Sequence, residues 1–180
     1  MSNTAPQGFF QPDVNTHDAS NKLPFFPRDF IGVVKVVACK GITVREGGHR
    51  AFIAELEVET SNLPETVRIG GKYSFFQSLK EPGTAYPAVI AFLYAALGLD
   101  QVRDKVKIDT QVKPRQDQYL NMAINDNPAL FGGKVNILAG ARMNLQTANK
   151  VTKKTKQDFT IHNFSPLHVA PAATPAPAAT

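Results

Sequence analysis

Hydrophobic and polar residues alternate most regularly in the segment AFIAELEVET, residues 51–60. One face of this segment is apolar and the other is mostly acidic, with Phe52, Ala54, Leu56 and Val58 set against Ile53, Glu55, Glu57 and Glu59. A repeat of two is the repeat of a half-buried β-strand. We therefore predict a strand here, with its glutamates on the outer face.

Four other segments have strand-like patterns. They are FIGVVKVVAC (30–39), VRIGGKYSFFQSL (67–79), KVNILAGARM (134–143) and DFTIHNF (158–164). The first is rich in β-branched residues, and its Gly32 marks a place where a bulge or sharp bend is expected. Together with residues 51–60, these segments predict five strands.

A helix is expected between the third and fourth strands. Pro87 suits the first turn of a helix, residues 88–97 are good helix formers, and Gly98 supplies a C-terminal stop. The region 100–130 is predicted to be a helical or irregular insertion, in which residues 116–124 form a second short helix.

The two ends of the chain differ in composition from the middle. Residues 1–28 contain four prolines and no periodicity, and we interpret them as an N-terminal extension. Its aromatic pairs, such as Phe25 with Phe26, predict that it lies across the domain or docks on a neighbouring subunit of a homo-oligomer. Residues 169–180 form a flexible Ala/Pro-rich tail, which leaves 29–168 as the globular domain.

The order of the elements indicates a fold class. Three strands, a helix and two strands is the order of the OB-fold, a mainly β, five-stranded Greek-key barrel. In that fold the loops between strands one and two and between strands four and five flank the binding face, and here they are residues 40–50 and 145–157. Helix-containing α+β sheets of another topology remain an alternative, because element order alone does not fix topology.

The charge of the chain is concentrated in one of these loops. The chain has a formal net charge of +5 and a pI near 9.4, and the segment KVTKKTK places four lysines on short spacings, with Asp158 as the nearby carboxylate. Clustered lysines neutralise phosphates with release of counterions, so the segment indicates a polyanionic partner. A solvated loop that only aids solubility is the alternative.

Aromatic residues on the strands supply candidate stacking surfaces. Tyr73, Phe75 and Phe76 are so close in sequence that one ring must point outward, and Phe76 is a better candidate than Phe75, which has the parity of the core. Burial is the default for such rings. The candidate nucleic-acid contacts are Lys40, Arg45, Arg50, Arg68, Lys72, Tyr73, Phe76, Lys150, Lys153, Lys154, Lys156, His162 and Phe164. The glutamate row would repel phosphate, so its face lies off the path of the ligand or is covered by the 100–130 insertion or by a subunit.

Catalytic and metal-binding patterns are missing from the sequence. Cys39 is the single cysteine, the four histidines have no metal-ligand spacing, and there is no GxxxxGK[ST] loop. We predict a protein that is not an enzyme and uses no cofactor or metal. The chain begins without a signal-peptide pattern, and its longest apolar run, 86–99, is shorter than the roughly 20 residues of a membrane span. A cytoplasmic location with no membrane association is expected.

Taken together, FIGVVKVV, AFIAELEVE, VRIGGKYSFF, the Ala-rich helix and GKVNILA followed by KKTKQDFTIHNFSPL resemble small phage-encoded single-stranded DNA-binding proteins of the OB-fold type. The resemblance is one of layout and covers about residues 30–167. It implies coverage of single strands during phage replication or recombination, in the host cytoplasm. Many bacterial single-strand binders end in an acidic tail that recruits partners. This chain ends in PAATPAPAAT, which argues against such recruitment.

These observations predict a sequence-tolerant binder of single-stranded DNA, with basic loops on the phosphates and strand aromatics on the bases. Binding of RNA stays open, because no pattern here is specific for the 2′-hydroxyl. The alternative is a phage structural or assembly protein that uses the barrel as a scaffold and the terminal extensions for subunit contacts.

Overall fold

The computed structural model describes residues 23–43, 48–79, 82–116, 119, 138–151 and 158–167. Within these ranges the strands are β1 (Ile31–Thr43), β2 (Arg50–Val58), β3 (Lys72–Ser78), β4 (Arg142–Val151) and β5 (Asp158–Pro166). Helix α1 (Pro82–Ala96) follows β3. A short helix, α2 (Lys105–Lys107), continues through a π turn (Ile108–Val112) and a 3₁₀ turn (Lys113–Arg115).

The five strands form one antiparallel sheet in the order β3-β2-β1-β4-β5. The protein is therefore mainly β, with a helix between the third and fourth strands, as the sequence predicted. The sheet is not closed into a barrel. Strands β3 and β5 are its two edges, and no β3–β5 ladder is present among the described residues.

The open sheet is nevertheless strongly curled. Edge strands of a flat five-stranded sheet would lie about 19 Å apart, because neighbouring strands are spaced by about 4.8 Å. Here the ring centroids of Phe75 on β3 and Phe164 on β5 are 4.9 Å apart. Phe92 of α1 packs between these edges, 5.8 Å from Phe75 and 5.2 Å from Phe164. The apolar core thus lies inside the curl and is covered by α1.

The alternation predicted for β2 is confirmed. Phe52, Ala54, Leu56 and Val58 are all buried, whereas Glu55 and Glu57 lie on the outer face, where their carboxylates pair with cations of β1. The bulge expected at Gly32 lies elsewhere in β1, between Val36 and Ala38. Gly32 is needed for another reason. A β-carbon there would lie 2.0 Å from the carbonyl oxygen of Thr60, so the close approach of the two backbones excludes a side chain.

Strand four was predicted in the wrong place. Leu138–Gly140 is a turn and β4 begins at Arg142, because Gly140 has a φ of 83°, which strand backbone does not adopt. The first four residues of the predicted strand, 134–137, lie outside the described residues. Asn144, which is polar but buried, donates from its side-chain amide to the Pro166 carbonyl at 3.0 Å. A buried polar residue interrupts the alternation of hydrophobic and polar residues, so this alternation did not indicate the strand.

Two other boundaries differ from the prediction. Strand β3 begins at Lys72 and not at residue 67. Helix α1 begins at Pro82, so Pro87 lies inside the helix and not in its first turn. Pro82 takes the first position, where an amide N–H would have no intrahelical acceptor and its absence costs nothing. Gly98 ends the helix with a φ of 72°, as predicted. The short helix predicted at 116–124 lies mostly outside the described residues.

Candidate nucleic-acid interface

The acidic row of Glu55, Glu57 and Glu59, which begins in β2 and ends just after it, is paired with cations from neighbouring strands. Glu55 accepts a hydrogen bond from Lys40 at 2.6 Å, and Glu57 accepts one from Lys35 at 2.8 Å. Glu59 accepts one from Arg142 of β4 at 2.6 Å. The three pairs form a ladder across the outer face of β2, β1 and β4, so the glutamates do not present a row of uncompensated negative charge.

The Lys35–Glu57 pair also changes the titration of both groups. The hydrogen bond and the charge of Glu57 raise the pKa of Lys35, and the hydrogen bond and the charge of Lys35 lower the pKa of Glu57. Both groups therefore stay ionised around neutral pH. Lys40 belongs to the same ladder. It was predicted as a phosphate contact, but the structure places its ammonium on Glu55.

The β4–β5 hairpin carries a lysine and an exposed ring side by side. Lys150 and Phe159 are directly opposite in the ladder, on the face away from Phe164. Lys150 is exposed, and Phe159 is 41% exposed. Val151, the next residue, is also exposed. Lys153, Lys154 and Lys156, which continue the basic run, lie outside the described residues.

The start of β3 lies at the same end of the sheet. Strands β3 and β5 run in the same direction, because each is two antiparallel steps away from β1. Phe75 of β3 contacts both His162 and Phe164 of β5, with ring-centroid distances of 5.1 and 4.9 Å. Lys72, which is exposed, is the first residue of β3, and Phe159 is the second residue of β5, so both lie near the starting ends of these two strands.

This end of the sheet, which we call the basic end, combines cations with exposed apolar groups. Its three cations, Arg68, Lys72 and Lys150, form no salt bridge within the described part of the chain. Lys72 is opposite Glu57 in the ladder, and its charge contributes to the lowered pKa of that carboxyl. Ile69 is 64% exposed in the turn before β3. The basic end consists of Arg68, Ile69, Lys72, Lys150, Val151 and Phe159.

The two predicted basic loops leave the sheet at opposite ends. The connection between β1 and β2 follows the C-terminal end of β1, whereas the connection between β4 and β5 lies beyond the N-terminal end of β1, because β4 is antiparallel to β1. Arg45 and the side chain of Arg50 lie outside the described residues. The structure therefore does not bring Lys40 and Lys150 together. A ligand that contacts both loops would have to cross the outer surface of the sheet between them.

Among the aromatics, Phe75 and Phe76 lie as predicted. Phe75 is buried in the core, and Phe76 lies on the outer face opposite Ile53 of β2. Tyr73 is half-buried, with its ring stacked on Phe26 at a centroid distance of 5.0 Å and its hydroxyl donating to the Thr66 carbonyl at 3.3 Å. Its inward face is thus already covered by a ring of the same chain.

The proposed roles of His162 and Phe164 need correction. Phe164 is 8% exposed and packs against Phe75 and Phe92, so its ring is not open to a base. His162 lies in the same aromatic cluster, and its Nε2 finds no hydrogen-bond partner among the described residues. Burial lowers its pKa to about 4, so the ring is neutral at pH 7. Phe159 is the outward ring of β5, and it was not among the contacts predicted from the sequence.

The segment before β1 closes the gap between the two edge strands. The Ser74 amide of β3 donates to the Pro24 carbonyl at 2.8 Å, and Phe25 forms a parallel bridge with Ser74. Phe26 is 3% exposed and contacts Tyr73 of β3 and His162 of β5. We call residues 24–27 the strap. The extension was predicted either to lie across its own domain or to dock on a neighbouring subunit. Its described part lies across its own domain.

Two polar residues fix the chain after the strap. The Thr147 hydroxyl donates to the Pro27 carbonyl at 2.7 Å and accepts from the Phe30 amide at 2.9 Å. Asn62 accepts from the Ile31 amide at 2.6 Å and donates to the Asp29 carbonyl at 2.9 Å. These bonds hold Asp29 at a φ of 61°, a left-handed conformation that asparagine and aspartate tolerate better than most residues.

No protein-family model matches this chain, and no curated protein matches it significantly. None of the helices in the described ranges is long and apolar enough to cross a lipid bilayer. Within the same ranges, no three His, Cys, Asp or Glu side chains come together as a metal-binding group.

Proposed function

We propose that this protein binds single-stranded DNA without strong sequence preference and that the β4–β5 hairpin is its main contact. The observation that carries the proposal is the pairing of exposed Lys150 with exposed Phe159 at the base of a loop that contributes three more lysines. A cation beside a ring is the combination that single strands require, since the cation neutralises a phosphate while the ring stacks on a base.

Three further features support the proposal. Glu55, Glu57 and Glu59 are each paired with a cation, so they repel a phosphate chain less than a bare acidic row would. Arg68 and Lys72 add positive charge at the same end of the sheet as the hairpin. The basic pI agrees with an anionic partner.

We further propose that the fold is a variant of the OB-fold. The strand order, the position of α1 and the curl of the sheet support this relationship. In this variant the strap, rather than a β3–β5 ladder, joins the edge strands. The resemblance in layout to phage single-strand binders supports a role in phage DNA replication or recombination.

The decisive experiment is a titration of fluorescent oligo(dT) at two salt concentrations, with a charge-matched pair of variants. The first variant replaces Lys150, Lys153, Lys154 and Lys156 with glutamine. The control replaces four cations of the helical insertion, Lys105, Lys107, Lys113 and Arg115, with glutamine, so both proteins lose the same net charge.

We expect the first variant to bind much more weakly and the control to bind like the wild type. Loss of four phosphate contacts should also make the slope of log K against log salt shallower by about 3, because each contact contributes about 0.7 for a single strand. Equal loss in both variants would reduce the effect to net charge and contradict a site at the hairpin.

Two further ligands separate the alternatives. Duplex DNA should compete poorly, since its bases are not available for stacking, and oligo(U) tests whether the same surface accepts RNA. Absence of any binding at low salt, together with self-assembly of the protein without nucleic acid, would favour the structural or assembly role instead.

A further inference from the structure

Phe25 is an exposed ring held in a fixed position. The residue before it is anchored by the hydrogen bond from the Ser74 amide to the Pro24 carbonyl, and the residue after it, Phe26, is buried in the core. Because side chains alternate along an extended segment, burying Phe26 turns Phe25 outward. Its ring is 60% exposed although the protein interior begins one residue away.

The outward ring of Phe25 is joined by a second ring on β3. The centroids of Phe25 and Phe76 are 6.4 Å apart, and their planes meet at 67°, an edge-to-face arrangement. Phe76 is opposite Ile53 in the ladder, and Ile53 is opposite Lys40 of β1. The strap and the outer face of β3 therefore form an aromatic patch with a lysine in the same cross-strand row.

This patch lies next to the basic end and in the same cross-strand row as Lys40. Phe25 bridges Ser74, which lies two residues beyond Lys72 of the basic end. In the other direction along the sheet, Lys40 is three residues from the end of β1, where the connection carrying Arg45 begins. A strand of nucleic acid that starts at the hairpin and follows β3 meets the patch next.

We propose that Phe25 and Phe76 form a second base-stacking platform, so that the bound single strand runs from the β4–β5 hairpin along the seam between β5 and β3. This inference rests on the proposed function, because it extends the same site. It assigns a binding role to the strap itself. Rings held on the sheet, with the cations of the basic end on one side and Lys40 on the other, match the chemistry of a single strand better than that of an apolar partner protein.

The test uses single substitutions in the full-length protein. Phe25→Ala and Phe76→Ala should each weaken binding to an oligo(dT) of about 16 nucleotides by about 5- to 150-fold, the loss expected for one stacked base. Phe25→Tyr should restore binding. Leu167→Ala serves as the control, since Leu167 is as exposed as Phe159 but lies just beyond the C-terminal end of β5.

A direct readout comes from photocrosslinking. Oligonucleotides with thymines replaced by 5-bromouracil should, after irradiation, attach to the peptides that contain Phe25 or Phe76 as well as to the peptide that contains Phe159. Crosslinks confined to the hairpin peptide would overturn the second platform.

The outcomes distinguish this inference from the function on which it rests. If the hairpin variant loses binding but Phe25→Ala and Phe76→Ala bind like the wild type, the platform is wrong and the function stands. If the wild type does not bind oligo(dT), both fail. If Phe25→Ala changes the sedimentation of the protein but not its affinity for DNA, the patch is instead an interface between copies of this chain, and the inference is overturned.

Discussion

The Lys40 ammonium lies 2.6 Å from the Glu55 carboxylate, across the outer face of β1 and β2. A lysine that the sequence predicted to contact a phosphate is thus paired with a carboxylate of the neighbouring strand. The pair is partly exposed, so water and salt weaken it. The Lys40 ammonium can therefore exchange the Glu55 carboxylate for a phosphate at a small cost in free energy. Whether it does so depends on where the ligand lies.

Replacing Glu55 with glutamine should strengthen binding to oligo(dT) by about fivefold at low salt, because it removes one negative charge and makes Lys40 available for a contact worth about 1 kcal/mol. The loss of the ion pair should lower the free energy of unfolding by less than about 1 kcal/mol. Asp109→Asn is the matched control, since it releases Lys113 from a 3.8 Å pair on the helical insertion. Equal affinity of Glu55→Gln and wild type would mean that the ligand does not reach this part of the sheet.

The two phenylalanines of the strap should differ strongly in their effect on stability. Phe26→Ala removes a ring that is 3% exposed and contacts Tyr73, Phe30 and His162, so it should lower the free energy of unfolding by about 3 to 5 kcal/mol. Phe25→Ala removes an exposed ring and should change it by less than about 1 kcal/mol. Urea unfolding measures both. Similar losses for the two variants would contradict the inward and outward positions of these side chains.

Thr147 should stabilise the chain through its hydroxyl group. Thr147→Val keeps the shape of the side chain but leaves the Pro27 carbonyl and the Phe30 amide without this partner. We expect a loss of about 1 to 3 kcal/mol for each group that stays unsatisfied. Faster amide hydrogen exchange at Phe30 and Ser74 should accompany it. Thr147→Ser retains the hydroxyl, and its amides should exchange nearly as slowly as in the wild type.

His162 should make the protein less stable in mild acid. Burial lowers the folded-state pKa to about 4, below the ordinary value of 6.5, so between these values the unfolded chain binds a proton that the folded chain does not. The contribution of the neutral His162 ring to stability is therefore fully present above pH 6.5 and is lost as the pH falls towards 4, by at most about 3 kcal/mol. Urea unfolding at pH 7 and pH 5 measures this. His162→Phe should fit the aromatic cluster and lose most of the dependence, and a variant that keeps the full dependence would assign it to other groups.

Local patterns predicted the parts of the fold that depend on neighbours in sequence. The alternation of β2 and the glycine stop after α1 are read from a few adjacent residues. Strand β4 was misplaced because its buried positions include the polar residues Asn144 and Thr147, whose burial depends on partners more than 20 residues away. A polar residue that is satisfied by a distant backbone group looks like a loop residue in a hydrophobicity pattern.

The candidate site was harder to predict, because it depends on which face of each strand is inward. Strand β5 carries an aromatic residue on both faces, Phe159 on one and Phe164 on the other, so its pattern is ambiguous. Packing of Phe164 beneath α1 decides the question, and no local signal reports that contact. The ion-pair ladder likewise depends on the register between β1 and β2, which places Lys35 opposite Glu57.

The hydrogen bond between the Ser74 amide and the Pro24 carbonyl also bears on where the chain can be shortened. Strand β3 is an edge of the sheet, and an uncovered edge is a template for pairing with another molecule. A protein that starts at Asp29 would keep all five strands, yet it would lack the segment that occupies this edge and the ring that fills the gap beneath it. We therefore expect a shortened protein to stay well dispersed only when it begins before Pro24.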